Sequence, residues 1–455
     1  MRLTFPRKSL TTNAVSLMTA TVATNALGLV FWALAERLRS PGVVGRAAAT
    51  VAALTLLATV SQLNLTNVFI RLLPPAGRLG KRLIAHGYLA VVVVALLVGF
   101  IYASGGLSSR VLTGGFTAHA LFVVAVAVLA IFALQDSVLT ALRLAPWVAI
   151  ENISFAACKL ALLPALVLLP NSDSGIVISW VIPAAAAVVA ISVLLFRRVL
   201  RSLEDIEGTL PDRRRLLSFV AGEYVGSLCA TATIQLMPLF IVWRLGAPQV
   251  AYFTLPWLIS MGITMLLWNV ASSFVVELAG GREHSSALLS RSLALWGVIV
   301  VGALAVCVAG ANPLLDLAGH IYTAHGAGLL RLVGLSVPFS AVVAMYCTLV
   351  WIDGRIWWLA AFQAASGATI LGATLVLLPH LGVVAVGWAN LGVQALAAAI
   401  AAPLAARRVF GGRLAEAPIG DEMVLREAGG YPPDRRQVAR LRRSPRRAVP
   451  AERVT

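Results

Sequence analysis

Apolar stretches of about 20 residues, the length an α-helix needs to cross the hydrocarbon core of a bilayer, recur from about Asn13 to about Ala405 of this 455-residue chain. Lipid offers no partner to a free backbone N–H or C=O, so such stretches must fold as helices that satisfy those groups internally. Hydropathy places twelve spans, at residues 13–35, 47–69, 83–103, 120–141, 151–169, 176–196, 218–243, 250–275, 289–310, 329–351, 356–378 and 382–405. No connection between them is long enough for a folded soluble domain, so whatever the chain does is done by an all-α bundle. The composition agrees: 59% of residues are hydrophobic and only 12% charged, against roughly 25% charged in a soluble domain. A soluble enzyme is excluded.

The small charged fraction is strongly unbalanced, with 36 Lys and Arg against 19 Asp and Glu for a net charge of +17. Its placement explains it. Counted loop by loop, one side of the bundle carries seventeen basic residues and the other carries six: Arg37, Arg39, Arg46, Arg110, Arg244 and Arg331. The positive-inside rule then predicts that both termini are cytoplasmic, in a multi-pass protein of a bacterial cytoplasmic membrane. Arg2, Arg7 and Lys8 precede a long span without a small-residue cleavage site, which reads as a retained first helix. The tail, 406–455, carries twelve arginines and six carboxylates and is predicted to be disordered. Anionic lipids attract such a segment, and without aromatic interleaving it does not read as a nucleic-acid site. Lysine occurs only at Lys8, Lys81 and Lys159.

The two halves of the chain match at an offset of about 205 to 210 residues. Pro146-Trp147 leads through a span to Leu168-Leu169-Pro170, then Gly175, Trp180 and Arg197-Arg198-Val199; Ile356-Trp357 leads to Leu377-Leu378-Pro379, then Gly382, Trp388 and Arg407-Arg408-Val409. Pro41 to Gly45 and Gly246 to Val250 open the second helix of each half. Six spans per half is an even number, so the pseudo-twofold axis runs along the membrane normal. The predicted organisation is an N-terminal lobe at 1–196, a basic linker at 197–217, a C-terminal lobe at 218–405 and the tail.

This arrangement resembles the multidrug/oligosaccharidyl-lipid/polysaccharide (MOP) exporter superfamily, and within it the bacterial polysaccharide-biosynthesis flippases. The residues that carry the likeness are Gly45-Arg46-Ala47-Ala48-Ala49 with Arg71 beyond, the run Leu317 to Tyr322 before Leu329 to Leu332, and Leu381 to Ala389. The resemblance implies two lobes around a cavity that opens alternately to the two membrane faces, and outward movement of polyprenyl-linked sugars.

Ionisable groups inside spans are costly and mark function by default. Asp136, Glu151 and Lys159 cluster in the N-terminal half, with Arg143 at the turn between their helices; Glu223 is the carboxylate of the seventh span. Asp136 and Glu151 are candidates for a coupling proton or sodium ion. Arg143 and Lys159 are candidates for meeting a pyrophosphate. The plainer alternative pairs Asp136 with Lys159 and leaves Arg143 and Glu151 at a solvated turn. Arg46 and Arg71 are candidates for lipid phosphate, or snorkel to headgroups. Trp147, Trp180, Trp357, Trp358 and Trp388 read as interfacial anchors, whereas Trp32, Trp257 and Trp268 lie deeper and one of them is a candidate sugar platform. The histidines lack metal-ligand spacing, and no cofactor is expected.

The leading expectation is a flippase for a lipid-linked oligosaccharide, working with membrane lipids and with glycosyltransferases or a polymerase as partners. A cation-coupled multidrug exporter of the same superfamily is the nearer alternative. A polyprenol-dependent glycosyltransferase or polymerase is the more distant one, disfavoured because the external loops lack a catalytic cluster.

Overall fold

Small residues on one face of a helix let backbones approach closely in a membrane, and bulky apolar residues on the other face meet lipid. Both faces are present in the computed structural model, which describes residues 10–106, 108–112, 114–142, 144–167, 174–199, 213–279, 285–352 and 356–410. On the helix Gly80–Ser104, the buried positions include Ile84, Gly87, Val91, Ala95 and Gly99. Leu89, Val93, Leu97 and Phe100 on its opposite side are 56–63% exposed, an apolar stripe that only a lipid solvent tolerates at this length.

The helices in chain order are α1 (Leu10–Leu38), α2 (Pro41–Ser61), α3 (Leu65–Leu72), α4 (Gly80–Ser104), α5 (Ser108–Val111), α6 (Phe116–Ala141), α7 (Ala145–Val167) and α8 (Gly175–Leu194) in the first half. The second half has α9 (Arg213–Leu245), α10 (Ala247–Ala279), α11 (Ser285–Leu304), α12 (Ala311–Asp316), α13 (His320–Ile352), α14 (Ile356–Leu381) and α15 (Val384–Phe410). Twelve of these have 20 residues or more and correspond one for one to the twelve predicted spans; α3, α5 and α12 are short connectors. Ten meet the length and hydropathy needed to cross a membrane within the described residues. No strand occurs among the described residues. The chain is a multi-pass membrane protein.

The repeat is visible in the packing. Within the first half α1 packs on α7, α4 on α6, α6 on α8, α7 on α8 and α2 on α6; within the second, the corresponding pairs α9–α14, α11–α13, α13–α15, α14–α15 and α10–α13 are all formed. Contacts between the lobes obey the same symmetry, with α2 against α10 on the axis and α2–α9 and α1–α10 as the related pair.

Several boundaries differ from the sequence expectation, and the second span differs in kind. Hydropathy places the second span at residues 47–69, but α2 occupies Pro41–Ser61 and the chain then breaks, with Leu63 and Asn64 in left-handed backbone conformation at φ 49° and 57°. Pro41 at the first turn sets the start because its missing N–H is unneeded there. Asn tolerates the left-handed region better than most side chains, and α3 begins immediately after it. The last helix also runs five residues past its expected end, to Phe410.

The lobes meet most closely at the end of the bundle that bears the six-arginine set of loops, here called the arginine-poor end. A Cβ on Gly45 would lie 1.7 Å from the carbonyl oxygen of Ala247, so α2 and α10 cross backbone to backbone. Two arginines span the same seam: Arg37 Nε donates to the Leu317 carbonyl, and Arg110 Nη1 donates to the Trp243 carbonyl at 2.6 Å. Toward the other end, the Tyr224 hydroxyl donates to the Val60 carbonyl at 2.7 Å.

Candidate functional site

A carboxylate at membrane depth is tolerated only if something satisfies it. Asp136 sits near the end of α6 and Asn152 on the second turn of α7. The tight turn between these helices, closed by the Leu144 amide donating to the Leu139 carbonyl at 2.8 Å, folds them side by side. Asn152 Nδ2 accordingly lies 3.0 and 3.2 Å from the two Asp136 carboxylate oxygens and also reaches the Val148 carbonyl at 3.1 Å. Glu151 is buried at 4% exposure, neither of its oxygens has a hydrogen-bond partner among the described residues, and it lies within electrostatic reach of Asp136. Gln135 completes the layer by donating to the Val188 carbonyl and the Ser192 hydroxyl. This is a paired-acid site near the arginine-rich end of the first lobe.

Lys159 does not join it. Seven residues beyond Asn152, about 10 Å along the helix, its ammonium sits inside an aromatic cage: 3.9 Å from the ring centre of Trp180 on α8, 5.0 Å from Phe155 on α7 and 5.3 Å from Phe31 on α1. Trp32 and Phe132 buttress the cage, with Trp32 5.5 Å from Phe31 and Phe132 4.8 Å from Phe155. Lys159 is 5% exposed and forms no ion pair among the described residues. The plainer alternative, an Asp136–Lys159 pair, is not formed: Asn152 bonds the Asp136 carboxylate and the Lys159 ammonium sits apart among rings. Ring quadrupoles stabilise a desolvated cation by about 2 kcal/mol or more, offsetting part of the several kcal/mol lost on burying it. They do so without cancelling its charge.

Trp180, expected as an interfacial anchor, is thus the wall closest to a buried cation. Trp147, Trp358 and Trp388 are 37–57% exposed on the outside of the bundle, as anchors should be. Of the remaining candidates, Arg46 lines a cavity of about 370 Å³ with Thr50 and Phe122 at the arginine-poor end, and Arg71 lies half-buried on α3. Arg143 and the side chain of Glu223 lie outside the described residues.

Sequence reasoning missed Glu36. It lies at the arginine-poor end of α1, 4% exposed, with both carboxylate oxygens and the nearby Tyr322 hydroxyl unpartnered among the described residues. Tyr322 packs edge-on against Tyr252, which stacks on His325, so this carboxylate is sealed where the lobes touch. An acid between Trp32 and Arg37 was the available signal. Among the described residues no three His, Cys, Asp or Glu side chains gather as metal ligands.

The second lobe holds a different site, a cavity of about 520 Å³ among α9, α10, α13, α14 and α15. Among the described residues, no acid or base lines it.

A family model described as polysaccharide biosynthesis protein matches residues 10–276. No curated protein matches the sequence. Among solved structures, the chain is similar to an inward-facing multidrug resistance MATE family transporter of the MOP superfamily, at 13% identity over 87% of this chain and 96% of that one, with a TM-score of 0.62. It is also similar to the MATE multidrug transporter DinF-BH, at 15% identity over 90% and 96% with a TM-score of 0.59. A third similar structure is a MOP superfamily transporter from Pyrococcus furiosus, described as having a binding pocket of reverse polarity, at 14% identity over 89% and 95% with a TM-score of 0.57. These likenesses show the fold, twelve membrane helices in two six-helix lobes.

Proposed function

The chain belongs to the polysaccharide biosynthesis protein family and is a membrane transporter of the MOP superfamily, and from that premise we propose that it flips a polyprenyl-linked oligosaccharide outward across the bacterial cytoplasmic membrane by alternating access, without catalysing a covalent step. The observation that carries this reading is the caged Lys159. A carboxylate partner would neutralise the ammonium, whereas three aromatic faces leave its full charge in a low-dielectric lobe, where it attracts the pyrophosphate of a lipid-linked sugar. A transporter of cationic drugs gains nothing from a buried positive charge in the lobe.

The acid pair Asp136 and Glu151 supports coupling to a proton or sodium ion. It is also the feature that favours the second reading, a cation-coupled multidrug exporter. The arginine distribution supports cytoplasmic termini. Glycosyltransferases that supply the lipid-linked sugar, or a polymerase that consumes it, are the expected partners.

The test is Lys159→Met, which keeps the volume and removes the charge. A charge-assisted contact is worth about 1.5–3 kcal/mol, so export of lipid-linked sugar is expected to fall roughly 10- to 100-fold, with substrate accumulating on the inner leaflet. Export at the wild-type rate, or efflux of a cationic dye undiminished in Lys159→Met, would overturn the reading.

A further inference from the structure

The internal repeat relates positions in the two lobes, and its offset carries Lys159 on α7 to residues 364–369 on α14. That is where the second lobe opens its cavity of about 520 Å³: Ser366 and Gly367 line it, and α14 there crosses α9 so closely that a Cβ on Gly367 would lie 2.4 Å from the Thr233 hydroxyl. The two lobes therefore hold sites at corresponding places with opposite chemistry. One holds a caged cation; the other has no acidic or basic side chain among its described lining residues.

The polar groups of the second site are hydroxyls and carboxamides. Thr233 and Thr264 donate to carbonyls of their own helices, at 2.9 Å each, and Ser340 does so at 3.1 Å. Their protons are thus committed, and their oxygen lone pairs remain as acceptors toward the cavity. Asn390 donates to the Ser336 hydroxyl at 2.8 Å. Gln394 brings a carboxamide that both donates and accepts. Two indoles, Trp257 and Trp268, supply flat apolar faces, and the Trp257 Nε1 is a buried donor without a partner among the described residues.

We propose that this cavity binds the neutral sugar residues of the transported glycan. A sugar ring presents hydroxyls that donate and accept, together with apolar C–H faces. Acceptor-rich walls, amides and indole planes complement each of these, and the volume lies within the ~300–1,000 Å³ of ordinary ligand pockets. A cationic drug would find no acid here, and a purely apolar ligand would leave the hydroxyl lone pairs without donors and the Trp257 N–H unpaired. The inference rests on the flippase reading and divides the labour between lobes: Lys159 for the anionic linkage, the second cavity for the glycan.

The experiment uses the full-length protein in a detergent without a sugar headgroup. Saturation-transfer NMR is recorded with methyl glucoside, methyl galactoside, methyl N-acetylglucosaminide and maltotriose as probes. Transfer to the ring protons of at least one probe is expected, falling at least fivefold in Gln394→Leu and in Ser340→Val, and unchanged in Lys159→Met. A saturating cationic dye is expected not to displace the sugar. Thermal unfolding of each variant shows that it is folded, and Trp257→Phe, which keeps an aromatic face and removes the indole N–H, serves if either polar variant unfolds. No transfer to any probe, or transfer unaffected by the cavity variants, overturns the proposal. The two readings fail separately: sugar bound in the second cavity while Lys159→Met exports normally overturns the reading built on Lys159 and leaves this site standing, and normal export with cavity variants that bind no less sugar refutes only this site.

Discussion

Lys159 and Trp180 illustrate how a single residue's environment can depend on helices far apart in sequence. The intramembrane lysine was legible because such a charge stands out against an apolar span. Its cage was not, since Phe31, Phe155 and Trp180 come from three helices and nothing in their spacing announces that they converge. Trp180 falls near a predicted span end, where tryptophan ordinarily anchors to headgroups. Glu36 escapes notice because the hydropathy window closes at residue 35, one position before it. The cage has a measurable signature. In a double-mutant cycle of Lys159→Met with Trp180→Leu, followed by thermal unfolding, the coupling energy is expected to be roughly 0.5–2 kcal/mol. Strictly additive effects would show that the ammonium and the indole do not interact.

At the scale of elements, apolar run length located all twelve long helices, and the repeated Pro, Gly and Trp positions related the helices of one half to those of the other. Hydropathy could not locate the interruption after Ser61, because Leu63 and Asn64 sit in a stretch whose side chains remain compatible with a continuing helix. The break is a backbone event. A left-handed residue costs a non-glycine side chain about 1–2 kcal/mol, and Leu63 at φ 49° bears that cost without the local hydrogen bonding available to an Asn. Leu63→Gly is therefore expected to raise stability by about 0.5–1 kcal/mol, read as a higher unfolding midpoint in detergent. Leu63→Val, with a branched Cβ, is expected to lower it. If glycine destabilises by more than valine, the left-handed turn is not what separates α2 from α3.

For the whole molecule, the decisive contact is the crossing of α2 and α10 at Gly45, which closes the arginine-poor end. Gly45→Ala places a carbon where the Ala247 carbonyl stands, and since the clash lies between lobes, each lobe can keep its own packing. The expected result is an unfolding midpoint close to wild type, a longer spin-label distance between the first turns of α2 and α10, and slower transport. An unchanged distance would mean that this crossing does not hold the end shut. The scarcity of lysine has a consequence of a different kind. Arginine is inert to acylating reagents, so among 36 basic side chains only Lys8, Lys81 and Lys159 can react. Lys81 is exposed, while Lys159 is walled in by rings. The slowest adduct in an intact-mass time course of the acylated protein is then a clock, ticking at the rate at which three aromatic rings part.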